Sequence, residues 1–73
     1  MNDTAVKGYW KQIRIRAKEW WGKLTDDDLD MIDGKRDQLI GKLQERYGYT
    51  KERAAREVNA RLTELERTLS KTH

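Results

Sequence analysis

The stretch Trp20–Tyr49, WWGKLTDDDLDMIDGKRDQLIGKLQERYGY, decides the fold. Gly22, Gly34 and Gly48 stand where left-handed residues close helices. Thr25 directly precedes Asp26, Asp27 and Asp28, which makes it an N-cap, with Asp28 at the third helical position as a short-armed capping box. Leu29 and Ile32 then give a short helix one apolar edge. From Lys35 to Tyr47 a second stripe follows, built from Leu39 or Ile40, Leu43 and Tyr47.

The same logic extends outward. Toward the N-terminus, Val6, Trp10, Ile13, Ala17, Trp20 and Leu24 recur in steps of four and three, one face of an α-helix. Asn2 or Thr4 caps it, with Asp3 near the positive end of its dipole. Toward the C-terminus, Thr50 is an N-cap, and Ala55, Val58, Leu62, Leu65 and Leu69 form the last stripe. Glu52–Arg56 and Glu57–Arg61 are acid-first pairs, each worth about 0.2–0.5 kcal/mol on a helix surface.

The expected architecture is therefore all-α, with helices near 3–21, 26–33, 35–47 and 51–70 and a frayed end over residues 66–73. Connections of two to four residues force neighbouring helices to fold back or turn sharply. Seventy-three residues allow one domain, here spanning 1–73. Leu, Ile and Val number 13 of 73, with no Phe, under the roughly 20% associated with disorder. Against disorder, 16 bases nearly cancel 13 acids for a net charge of +3, and three Trp and three Tyr add apolar area. The expectation is a folded domain with a thin core. With no cysteine, disulfides and thiolate metal sites are excluded. No apolar run approaches the roughly 20 residues that span a bilayer, and the N-terminus lacks the apolar centre of a signal peptide. Cytoplasm is the default compartment, and monomer the default state.

Val6-Lys7-Gly8, Trp10-Lys11-Gln12, Trp21-Gly22-Lys23-Leu24-Thr25-Asp26-Asp27-Asp28-Leu29, Gly34-Lys35-Arg36-Asp37-Gln38-Leu39 and Gly41-Lys42-Leu43-Gln44-Glu45-Arg46-Tyr47-Gly48 together resemble the CsbD-like family of small bacterial stress-response proteins. The resemblance covers residues 5 to 60. It implies a compact four-helix domain with two crossed helical hairpins, similar to the sterile-alpha-motif arrangement, and a role in general stress. It carries over no catalytic residue.

Five aspartates, Asp26, Asp27, Asp28, Asp30 and Asp33, invite a calcium-loop reading. It fails, because Met31 takes the place of the required Gly and Asp37 that of the bidentate Glu. Acids favouring a helix dipole explain them more simply, with weak magnesium binding or an acidic docking patch left open. Lys7, Lys11, Arg14 and Lys18 form a basic stripe beside the apolar face of the first helix. Such a stripe can follow phosphates, with Tyr9 or Trp21 stacking on bases. The favoured reading is the plainer one, a solvated face or internal pairing with the aspartates. Trp10 and Trp20 belong to the expected core, whereas Trp21, about 100° round the helix from Trp20, is the better candidate for a partly exposed contact. Gly41, inside a helix, suggests close approach by another backbone.

Catalysis finds no support. His73 is the lone histidine, Ser70 the lone serine, and no phosphate-loop pattern occurs. No enzyme activity, cofactor or metal is expected. Two function classes remain: a non-enzymatic stress protein acting as an abundant hydrophilic protectant or protein-docking module, and a nucleic-acid or anionic-surface binder using Lys7, Lys11, Arg14, Lys18 and Trp21.

Overall fold

The computed structural model describes residues 3–71, with side chains placed from Val6 to Leu69. The described residues contain five helices: α1 Asp3–Gly8, α2 Trp10–Trp20, α3 Asp26–Ile32, α4 Arg36–Tyr47 and α5 Lys51–Lys71. The radius of gyration is 11.5 Å, close to the ~11 Å of a compact chain of this length.

The expected first helix is divided. At Tyr9 (φ −103°, ψ 14°) the chain leaves helical geometry, and α2 restarts with the Ile13 amide donating to the Tyr9 carbonyl at 2.9 Å. The bend allows α1 to lie against α4 while Val6 and Ile13 both reach the interior. Packing two short segments outweighs continuing one straight helix through Gly8, a poor helix former with open space around it. Thr4 lies inside α1 and does not cap it, and Asn2 lies outside the described residues.

The helix α2 ends without a left-handed residue. The Trp21 amide donates to the Ala17 carbonyl at 2.7 Å, and Trp21 then takes φ −132°, ψ 79°. Gly22 is not among the residues with positive φ, contrary to expectation. The departure at Trp21 turns its ring inward, to 2% exposure, and leaves Trp20 half-buried. The roles expected for the two tryptophans are therefore reversed. Wheel geometry assigns a direction only while the helix lasts, and Trp21 lies one residue past its end.

The other boundaries follow their signals. Thr25 Oγ1 accepts from the Asp28 amide at 3.1 Å, while Asp28 Oδ2 accepts from the Thr25 amide at 3.1 Å, completing the capping box. The turn after α3 uses two left-handed residues, Asp33 (φ 44°) and Gly34 (φ 79°). Gly48 (φ 70°) closes α4, and Thr50 Oγ1 caps α5 through the Arg53 amide at 3.1 Å.

The core comprises Val6, Ile13, Ala17, Trp21, Leu24, Leu29, Ile32, Leu39, Ile40, Leu43, Ala54, Val58, Leu62 and Leu65. Both Leu39 and Ile40 are buried. Trp10, Trp20, Tyr47 and Ala55, expected in the core, pack against its rim, and Ala54 replaces Ala55 at the centre. Gly41 is exposed with open space where a Cβ would stand, so no backbone approaches it. The final helix continues through residues 66–69, with Leu69 packed on the core, and residues 72–73 lie outside the described residues.

Candidate functional site

Half of the basic stripe of the first segment is engaged by the fold. Arg14 Nη2 lies 2.6 Å from Asp30 Oδ1, and Lys18 Nζ lies 2.8 Å from Asp26 Oδ1. Both pairs join equivalent positions four apart on α2 and α3, so internal pairing accounts for half the stripe. Lys7 and Lys11 remain exposed. Trp21, expected as an exposed stacking contact, has no face available because it is buried. The other candidate ring, Tyr9, packs partly buried against the core.

The aspartates diverge rather than converge. Asp28 is the one buried charged side chain among the described residues. Its carboxylate accepts from Arg46 Nε and Nη2, each at 2.9 Å, and Lys42 Nζ lies 3.6 Å away. Arg46 hydrogen bonding, with the Thr25 amide and the charges of Arg46 and Lys42, holds this carboxyl well below the ordinary aspartate range against the opposing effect of burial. Lys18 lowers Asp26 in the same way. Among the described residues no three His, Cys, Asp or Glu side chains gather as a metal set. His73 and the Ser70 side chain lie outside the described residues. Sequence reasoning missed Arg46 and Lys42 as partners of Asp28, since no helical spacing connects positions 18 and 14 residues apart.

Two aromatic clusters tie the loops together. Tyr47 and Tyr49 stack at 5.1 Å, with Lys23 Nζ 5.1 Å from the Tyr47 ring and the Arg53 guanidinium 4.3 Å from the Tyr49 ring. The Tyr47 hydroxyl accepts from the Lys23 amide at 3.2 Å, joining the α2–α3 loop to the end of α4. Trp20 meets Trp21 edge-on at 5.5 Å, with Arg61 5.8 Å from the Trp20 ring. These cations cover aromatic faces that would otherwise offer stacking platforms.

Comparison with known proteins places this arrangement. A family model described as CsbD-like matches residues 4–56. The chain belongs to the CsbD-like family of small bacterial stress-response proteins. Among its relatives, UPF0337 protein ECA0631 of Pectobacterium atrosepticum is 64% identical over 58 residues, covering 80% of this chain and 84% of that protein. UPF0337 protein YjbJ of Escherichia coli (strain K12) is 60% identical over 58 residues, with 80% and 84% covered. UPF0337 protein PA4738 of Pseudomonas aeruginosa is 59% identical over 58 residues, with 80% and 89% covered. The CsbD-like match takes in the Thr25 capping box and the Asp28–Arg46 pair, while Val58, Leu62 and Leu65 of α5 lie beyond it. No helix among the described residues of this CsbD-like chain is long and apolar enough to cross a membrane.

Proposed function

We propose that this protein acts without catalysis, as an abundant, highly charged folded protectant during bacterial stress. The observation that supports this most directly is the engagement of Asp28, the one buried charged group among the described residues, by Thr25, Arg46 and Lys42. A carboxylate so occupied holds helices together and has no lone pair poised toward a substrate. Over the whole chain, 40% charged residues and a mean hydropathy of −1.11 suit a protein that stays dispersed when crowded. Ile15 and Met31 are the large apolar side chains left exposed among the described residues. Single exposed apolar residues are ordinary on soluble surfaces, which favours the protectant over a dedicated docking module.

The test is recovery of a labile reporter enzyme through freeze–thaw and drying. This chain is compared at equal mass with a folded helical protein of similar size and low charge. The expected result is recovery that rises with concentration and exceeds the comparator. Equal recovery would remove the proposal.

A further inference from the structure

An open cleft of about 740 Å³ lies between the end of α1 and the start of α4. Lys7 and Gly8 form one wall and residues 34–38 the other. Gly34 brings the walls together: a Cβ there would stand 3.5 Å from the Lys7 Cα and 3.4 Å from the Trp10 Cγ. Nothing stands within 4 Å of the corresponding position at Gly8, so that side stays open.

Three cations, Lys7, Lys35 and Arg36, line this space against one carboxylate, Asp37. Among the described side chains, Arg14, Lys18, Lys42, Arg46 and Arg61 have carboxylate partners; Lys7, Lys35 and Arg36 belong to the larger set of cations that have none, and the cleft brings these three to one place. Arg36 gives one hydrogen bond, from Nη2 to the neutral Asn59 Oδ1 at 3.1 Å, and its enclosed Nε has no acceptor. The enclosed Nε is out of a ligand's reach, so what Arg36 can offer the cleft is its charge and the remaining donors of its terminal nitrogens. The cation-rich wall also contains the first turn of α4, whose N-cap Lys35 supplies no side-chain acceptor.

We propose that this cleft binds the phosphate group of a small phosphorylated molecule. A doubly charged tetrahedral anion has enough oxygens to accept from a terminal guanidinium nitrogen of Arg36 and from two ammonium groups at once, which a planar carboxylate cannot match. The space is of the size that accommodates small organic ligands. This site is separate from the expected stripe, sharing only Lys7 with it, and it stands or falls independently of the protectant function.

The test is an amide NMR titration of the full chain with sodium tripolyphosphate. Saturating shifts are expected at Lys7, Gly8 and Gly34–Gln38. Lys7→Gln combined with Lys35→Gln should weaken binding about tenfold or more. Lys51→Gln with Arg56→Gln, an equal loss of charge on α5, should leave it within about twofold. Thermal melts of both variants accompany the titrations, and Lys35→Gln alone replaces the first pair if that pair melts early. Linear shifts without saturation, or equal weakening by both pairs, would overturn the proposal in favour of diffuse attraction. Binding to phosphatidylglycerol vesicles without a response to free tripolyphosphate would overturn it in favour of a membrane surface.

Discussion

Arg46 closes on Asp28 through two parallel hydrogen bonds, Nε to Oδ2 and Nη2 to Oδ1, both at 2.9 Å. Because Asp28 also accepts from the Thr25 amide at 3.1 Å, one carboxylate caps α3 and clamps it to the last turn of α4. The two sides of the pair differ in surroundings: the Asp28 side chain is 3% exposed and that of Arg46 is 42% exposed. Solvent therefore screens the contact from one side, and its energy falls short of that of a deep interior pair.

Asp28→Asn should lower stability by about 2 kcal/mol, the scale of losing charge-assisted hydrogen bonds together with part of a cap. The amide group of Asn presents donors to Arg46, so the fork cannot close. Urea unfolding followed by far-UV circular dichroism measures the change. An unaltered midpoint would show that the clamp contributes nothing net.

Stability should depend on pH through the same carboxyl. Its folded pKa is depressed, chiefly by the Arg46 hydrogen bonds. The folded state therefore holds this proton less tightly than the unfolded chain does. Its contribution is complete above the ordinary aspartate value and is lost as pH falls through about 4 toward the lower folded value. Asp26, lowered by Lys18, acts in the same direction. Melting temperatures should be level above about pH 5 and decline below about pH 4, with a shallower decline in Asp28→Asn. An identical acid slope in the two proteins would assign the effect to other groups.

The glycines should separate by conformation. Gly41 is helical and open, so Gly41→Ala should raise stability by about 0.5–1 kcal/mol. Gly34 has φ +79° and lies against Trp10 and Lys7, so Gly34→Ala should lower it by about 1–2 kcal/mol. Thermal melts of the two variants should shift in opposite directions.

Trp21→Ala should cost about 3–5 kcal/mol, enough to unfold much of a domain this small. Trp21→Phe should cost less than its lost volume implies, because the buried indole Nε1 has no acceptor and its removal relieves an unsatisfied donor. With Trp10 and Trp20 both replaced by Phe, the remaining Trp21 should emit at short wavelength and resist iodide quenching. Emission quenched as readily as that of free indole would contradict the burial.

Local signals carried much of the fold. The Thr25 capping box, the Thr50 cap and the left-handed Gly48 were legible because each depends on residues within four positions of one another. Periodicity likewise placed Ile13, Leu43, Val58 and Leu62 inside. It failed at Tyr9 and at Trp21, where the chain leaves helical geometry and a wheel no longer gives direction. The stripe at Lys7, Lys11, Arg14 and Lys18 is visible in the sequence, but its partial neutralisation by Asp26 and Asp30 depends on α2 and α3 lying side by side.

Read alone, the sequence determined the helical class, most of the caps and the family, since these reside in short spacings and in the residues themselves. Tertiary structure alone decided that Asp28 meets Arg46, that Trp21 rather than Trp20 fills the interior, and that Lys7 joins Lys35 and Arg36 around one cleft. Such pairings depend on how helices cross, and the crossing is set by burial summed over the whole core rather than by any local run of residues.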